Sequence, residues 1–444
     1  MPPAKPLIYA ELLSNIRQIS ILAFLDTPSD SATKAELLAD GTLLKLYHAK
    51  QHIELKLPGQ VVSNSELREF PLGSLELSWR LPLAGEFQRA DVDIAQTVEA
   101  PWSAKDLVVG EQAFGCRKCA ATIVEADRIK EWRDLPSEGW AEMMDFWHCH
   151  KPSDHANYSH ENENQTNLAS TKGYGANTKF TAQAGIGFVD HSSFLLAEGD
   201  CNLPSGENES PSSSDYGFLD RLEDSKPWHY ARRIFLETLD VTGLAQIKRT
   251  IRCENGLCLA EIGYSDPHNE GIRLFKWSLR METLENSSLS ELSDADFEPS
   301  MASILSAQFS AIMNASCVSR LVLLPTPVTS KYGPVYPGLS IWVFNASIRF
   351  TSAYFYRTRK THVSRSNKPG ILAMKILWKQ CAPTRDPSAD NGSVEELELP
   401  GGMLHGFEHY LEEISERYLP PSARKLQDWN VSLLERYEAK AKVT

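Results

Sequence analysis

At 444 residues the chain has room for two or three domains, and its composition is that of a globular protein, 42% hydrophobic and 23% charged. A formal net charge of -13 argues against general nucleic-acid binding, which needs several phosphates neutralised at once. No stretch approaches eighteen consecutive apolar residues, so no membrane span is expected.

The N-terminal MPPAKPLIYAELLSNIRQ has no long apolar core and no cleavage signal, so a secretory leader is not expected. Asn-x-Ser/Thr sequons such as those at Asn157, Asn164 and Asn345 therefore read as bystanders. Eight cysteines in a chain this long are no disulfide scaffold, and a reducing cytoplasmic or nuclear setting fits.

Residues 1–110 read as a β-rich N-terminal domain. Ile53, Leu55 and Leu57 alternate on one face, and so do Leu75, Leu77, Trp79 and Leu81. That is the pattern of antiparallel strands with one wet face, and a small sandwich or open barrel is the economical arrangement. Ile19 to Leu25 forms an earlier strand and Asp91 to Val98 a weaker one.

The densest chemistry follows, in a segment spanning 111–201. Cys116 and Cys119 form a Cys-x2-Cys pair behind Gly115, and His148-Cys149-His150 lies about thirty residues on. Two thiolates from one tight loop reach a common centre, and tetrahedral Zn2+ takes four such ligands. The second half-site would be Cys149 with either His150 or His148, and Cys201 is held in reserve. Unrelated core cysteines and a thioredoxin-like redox pair are the competing readings. The redox pair wants a strand followed by a helix with the cysteines at its start, and no βαβ pattern surrounds this one.

Between the half-sites, Ser137 caps an expected short helix with Trp140, Met143, Met144 and Trp147 on one stripe. Residues 152–177 read as a polar loop. Phe180 to Leu196 returns to strand, with a turn or bulge at Gly185-Ile-Gly187, and 202–215 is a linker or surface loop.

The remainder, 216–444, is expected to be a mixed α/β C-terminal domain. Pro227 to Glu237 reads as helix. Asn255-Gly256 is a hairpin turn that sets Cys253 opposite Cys258, as a free cross-strand pair, a disulfide or, behind those, a metal half-site. Ile272 to Arg280 is a strand, and Pro299 to Ser316 a helix with Leu305, Phe309, Ile312 and Ser316 on one face. Leu339 to Tyr356 and Ile371 to Trp378 are strands. The basic run at 357–362 between them is the one place an anionic partner would touch. Leu404, Phe407, Leu411, Ile414 and Tyr418 define an amphipathic helix. After Pro420-Pro421, Ser422 would cap a second helix carrying Leu426, Trp429, Leu433 and Tyr437. HGFEH at 405–409 is not the HExxH of zinc proteases, because its glutamate is misplaced for a general base.

Three stretches, CRKC at 116–119, LPSEGWAEMMDFWHCH at 135–150 and YLPPSARKLQDWNVSLL at 418–434, resemble the HECT-like family of proteins that bind ubiquitin-conjugating enzymes. They are spread over nearly the whole chain. The resemblance implies an E3 ubiquitin-protein ligase of cytoplasm and nucleus that binds a charged ubiquitin-conjugating enzyme and promotes transfer to protein substrates. It also implies metal ligation by Cys116, Cys119, Cys149 and His150, as a closed structural Zn2+ site. Family members are linked to the endonuclease of the mRNA 3'-end cleavage machinery, so a non-enzymatic zinc-containing adaptor or chaperone for that client is the alternative. No segment matches the catalytic-cysteine loop of true HECT domains, and the catalytic residue is unassigned. By elimination an adduct would form on Cys381 or on Cys253 or Cys258, with Cys317 buried ahead of LVLL. The fold expected is thus α+β: a mostly antiparallel β N-terminal domain, a zinc-stabilised insert, and a mixed α/β domain ending in a helix pair.

Overall fold

Alternating apolar residues build most of the protein. The computed structural model describes residues 7–62, 65–85, 99–135, 180–203, 249–253, 255, 258–283, 298–326, 336–354, 369–383 and 394–438. Chain contacts divide into two units. The first holds 1–101, 208–247 and 299–444, and the second holds 102–207 and 248–298. The architecture is mostly antiparallel β with two α-helices among the described residues. No described helix is long and apolar enough to cross a membrane.

The first unit starts with β1 (Leu7–Leu13), β2 (Gln18–Phe24), β3 (Lys34–Leu37), β4 (Leu43–His48), β5 (Gln51–Lys56) and β6 (Glu76–Pro82). The second contains β7 (Gln112–Cys116), β8 (Thr122–Val124), β9 (Glu131–Asp134), β10 (Ile186–Val189), β11 (Ser193–Leu196), β12 (Thr250–Arg252), β13 (Glu261–Asp266), β14 (Gly271–Phe275) and β15 (Leu279–Thr283). The chain then rejoins the first unit with α1 (Met301–Ser316), β16 (Arg320–Pro325), β17 (Gly338–Tyr354), β18 (Ile371–Cys381), β19 (Glu395–Leu399), α2 (Gly401–Tyr418), β20 (Lys425–Leu426) and β21 (Trp429–Glu435).

In the first unit one large sheet runs β20-β21-β18-β17-β1-β2-β6, with β16 joining β17 to β19. Strand β1 pairs antiparallel with β17, Leu7 opposite Tyr354, so the two ends of the chain share one sheet. Ile19, Ile21, Leu77, Trp79 and Leu81 point from this sheet into a core shared with Leu44, Leu46, Ile53 and Leu55 of the small sheet β3-β4-β5. Period two leaves the alternate residues wet. Helices α1 and α2 cover the C-terminal strands. Phe309 and Phe407 meet edge to face at 6.2 Å between ring centres. Ser300 caps α1 by accepting the Ser303 amide at 3.0 Å.

The expected strands over 19–25, 52–57, 74–81, 339–356 and 371–378 correspond to β2, β5, β6, β17 and β18, and the helix expected over 299–316 is α1. The strand expected over 272–280 divides into β14 and β15, in different sheets, around a turn at Lys276–Ser278, and the C-terminal expectation fails. The chain ends in a helix and a hairpin, not a helix pair: after Pro421–Ala423 it turns into β20 and β21, with Gln427 at φ 55 in the turn. Strand β21 lies between β18 and β20, and Val431, Ser432, Leu433 and Leu434 are all buried. A strand covered on both faces loses its period-two signal and imitates a helix stripe. The expected elements at 91–98, 137–147 and 227–237 lie outside the described residues.

The second unit has a six-stranded sheet, β12-β13-β14-β11-β10-β9, and a three-stranded one, β15-β7-β8. Its core gathers Trp102, Phe114, Phe194, Leu196, Ile262 and Leu274, with Phe114 and Phe194 ring centres 5.0 Å apart. Gly263 is obligatory there, because a Cβ on it would stand 2.1 Å from the Arg273 carbonyl oxygen.

Lys276 is wholly buried in this unit, its ammonium 5.3 Å from the centre of the Phe194 ring. Burial pushes its pKa down to about 7, against the opposing pull of Asp190, Asp134 and Asp106. An unfolded lysine titrates near ~10.4. Between those values the unfolded chain binds the extra proton, so stability should rise as pH increases from about 7 toward ~10. The urea midpoint measured at pH 7 and pH 9 should climb more in the native protein than in Lys276→Met. Equal slopes in the two proteins would show that Lys276 is not the group responsible.

Candidate metal centre

Two loops in the second unit present cysteines in the same way. The first joins β7 to β8: the Cys116 amide donates to the Ala121 carbonyl at 2.8 Å, and the Ala120 amide to the Cys116 carbonyl at 2.8 Å. The second joins β12 to β13: the Cys253 amide donates to the Ala260 carbonyl at 2.8 Å, and the Cys258 amide to the Asn255 carbonyl at 3.2 Å. In each, the first cysteine's amide reaches the carbonyl two residues past the second cysteine. In each, the residue after the second cysteine takes positive φ, Ala120 at 62 and Leu259 at 48. Gly115 permits the first turn, since a Cβ there would sit 3.3 Å from both the Ala120 and Ala121 carbonyl oxygens.

Pairing of β15 with β7, Leu279 opposite Cys116, folds the second loop back onto the first. The Arg117 amide donates to Ser278 O at 2.9 Å, and Lys118 Nζ to Cys258 O at 2.9 Å. The result is a cluster of four thiols, Cys116, Cys119, Cys253 and Cys258, all within 4.8 Å of one another. Cys116 Sγ lies 3.7 Å from Cys258 Sγ, and Cys119 Sγ lies 3.5 Å from Cys253 Sγ. A tetrahedron with metal–sulfur bonds of ~2.3 Å has edges of about 3.8 Å. The four sulfurs therefore already stand near the spacing a metal ion requires.

The electrostatics fit that use. Burial pushes the Cys253 thiol up to about 12 and the Cys116 thiol upward, with the Cys119 and Lys118 amides opposing the latter. The Ala121 amide pulls the Cys119 thiol down to about 6, aided by Asn255, whose Nδ2 donates to Cys119 Sγ at 3.6 Å. A divalent cation would deprotonate the remaining thiols and repay their burial.

Of the residues expected at the site, Cys116 and Cys119 are in the cluster. Cys149, His150 and His148 lie outside the described residues. Cys201 is buried in the same core, its thiol pushed up to about 12 by burial, and donates weakly to Ala197 O at 3.8 Å; it is not in the cluster. Cys253 and Cys258 complete the cluster, which fits the metal half-site that sequence reading placed behind a free pair and a disulfide. The available signal was the echo between Cys-Ala-Ala at 119–121 and Cys-Leu-Ala at 258–260.

The adduct expectation also changes. Cys253 and Cys258 are buried in the cluster, and Cys317, expected to be buried, is exposed. It closes α1 in the left-handed conformation, φ 56, with its amide bonded to Met313 O. Cys381 is half-buried and its thiol is raised by burial.

The chain belongs to the HECT-like ubiquitin-conjugating enzyme (E2)-binding family, whose family model matches residues 11–431. It is 27% identical to an uncharacterized protein of Saccharomyces cerevisiae over 397 residues, 88% of this chain and 89% of that one. A 59-residue stretch, 13% of this chain and 18% of the relative, is 36% identical to an uncharacterized protein of Schizosaccharomyces pombe. No solved structure matches. Membership in an E2-binding family is consistent with a role in the ubiquitin pathway.

Proposed function

We propose that the protein acts as an E3 ubiquitin-protein ligase: it binds a charged ubiquitin-conjugating enzyme and promotes transfer of ubiquitin to protein substrates in cytoplasm and nucleus. The observation that carries this reading is the family match across residues 11–431. Transfer proceeds by positioning the conjugating enzyme's thioester beside a substrate lysine. A covalent route needs an accessible cysteine to take ubiquitin first, and Cys317 is the exposed cysteine among the described residues.

The metal of the cluster is Zn2+, held by Cys116, Cys119, Cys253 and Cys258 and supplying structure, not chemistry. Four thiolates favour zinc over harder divalent ions and leave no open position for a reacting water. Ligation by Cys149 and His150 instead rests on sequence spacing and family resemblance, and metal content of single variants separates the two ligand sets.

The function is tested by incubating the protein with ubiquitin, activating enzyme, conjugating enzymes and ATP. Ubiquitin chains should form, with no adduct on this protein that a thiol reductant removes, and Cys317→Ala should keep full activity. A reducible adduct lost in Cys317→Ala would replace positioning by covalent relay. Binding of a conjugating enzyme without any transfer would favour the non-enzymatic adaptor or chaperone for the 3'-end processing endonuclease.

A further inference from the structure

The two sulfur–sulfur hydrogen-bond contacts in the cluster both run between the loops, Cys116 to Cys258 and Cys119 to Cys253. Neither joins the cysteines of one loop. Within the first loop the Ala120 amide is fixed to Cys116 O, and that geometry fans Cys116 and Cys119 toward a shared centre. The four sulfurs also differ in access. Cys116, Cys253 and Cys258 are buried, whereas Cys119 is half-exposed. The cluster thus has one sulfur that a small solute can reach, backed by a second only 3.5 Å behind it.

We infer that the four-thiol cluster is a modification site for two-electron oxidants of the peroxide class, and that oxidation links the loops crosswise, Cys119 to Cys253 and Cys116 to Cys258. Its zinc-release step rests on the four-cysteine ligand set proposed above, while the crosswise linkage rests on the sulfur–sulfur geometry. The Cys119 thiolate attacks one peroxide oxygen; the O–O bond breaks, hydroxide leaves and a sulfenic acid forms. The Cys253 thiolate then attacks the Cys119 sulfur, forming the S–S bond and expelling the sulfenic oxygen as hydroxide, which takes a proton to become water. In sum two thiols and one hydrogen peroxide give one disulfide and two waters. A second peroxide joins Cys116 to Cys258 by the same two bond exchanges, once loss of the metal uncovers this buried pair. Each step removes two anionic ligands, so a bound metal ion leaves.

Crosswise pairing has a structural consequence that pairing within each loop would lack. Disulfides between residues 134 and 142 apart close long loops and hold the two loops together after the metal has gone. Disulfides within a loop would close rings of a few residues and leave the loops unlinked. Oxidation therefore exchanges a metal clip for a covalent one.

The test uses the full chain carrying Cys317→Ser and Cys381→Ser, which removes two of the four thiols outside the cluster and leaves Cys149 and Cys201, whose state the same peptide map reads. Hydrogen peroxide is titrated in, zinc release is followed with a colorimetric chelator, and disulfides are mapped by mass spectrometry of non-reduced peptides. Two equivalents of peroxide should release one zinc per chain and yield the 119–253 and 116–258 linkages, with dithiothreitol restoring zinc uptake. The oxidised protein should keep a higher thermal midpoint than reduced protein stripped by a chelator. Disulfides within each loop, or sulfinic acids with no disulfide, would overturn the inference. So would a zinc-loaded protein inert to peroxide, which leaves the metal reading standing. A protein purified without metal that still gives the crosswise disulfides would sink the metal reading and keep this one.

Discussion

Cys253→Ser should purify without zinc and with the second unit unfolded, while Cys149→Ser should keep one zinc per chain and its thermal midpoint. The two cysteine loops come from strands more than a hundred residues apart and belong to different sheets, β15-β7-β8 and β12-β13-β14-β11-β10-β9. A metal on all four sulfurs would tie those sheets together at one point. Structural zinc binds small metal-dependent domains with about 10–16 kcal/mol of apparent free energy. A whole domain is stable by only about 5–15 kcal/mol. Losing one of four thiolates should therefore cost the unit most of its stability, and leave Cys116 and Cys258 as buried thiols with no ion to hold. Elemental analysis and limited proteolysis across residues 102–298 are the measurements. Zinc retained in Cys253→Ser but absent from Cys149→Ser would falsify the four-thiol ligand set and restore Cys149 and His150.

What could be read in advance followed from which contacts are local. Strands β2, β5 and β6 show alternation because one face is buried and the other wet, as at Leu77, Trp79 and Leu81 against Glu76, Ser78 and Arg80. Helix α2 was legible for the same reason at its own period: Leu404, Phe407, Leu411 and Ile414 are buried while His405, Glu412 and Glu413 face water. Strand β21 was not, because burial on both faces erases the alternation. The half-site at Cys116 and Cys119 was visible because four residues contain it. Its partners come together only through the pairing of β15 with β7, and nothing local to Cys253 encodes that pairing. Cys317 was misjudged from the apolar run after it; the helix ends there in a left-handed turn that carries its side chain to the surface.

Truncation before Gly401 should abolish the soluble fold of the first unit. The lost segment contains α2 and β21, and β21 is an interior strand hydrogen-bonded to β18 from Ala373↔Glu435 to Trp378↔Asn430. Removing it strips one edge from β18 and uncovers Ile376 and Leu377, both buried. The segment also takes away Leu404, Phe407, Leu411, Leu419, Val431, Leu433 and Leu434, each almost fully inside. At roughly 1.5–3 kcal/mol per buried side chain, that loss alone matches or exceeds the stability of an ordinary domain. Point variants grade the same claim. Phe407 is fully buried against Phe309, so Phe407→Ala should cost about 3–5 kcal/mol. Trp429 is only half-buried, edge to face with Trp342 at 6.3 Å and beneath Lys379 at 4.5 Å, so Trp429→Ala should cost less. Denaturant unfolding of the two variants gives the comparison, and solubility and circular dichroism report on the truncation. A truncated chain that stays monomeric with an unchanged thermal midpoint would mean that the large sheet does not need its C-terminal strand.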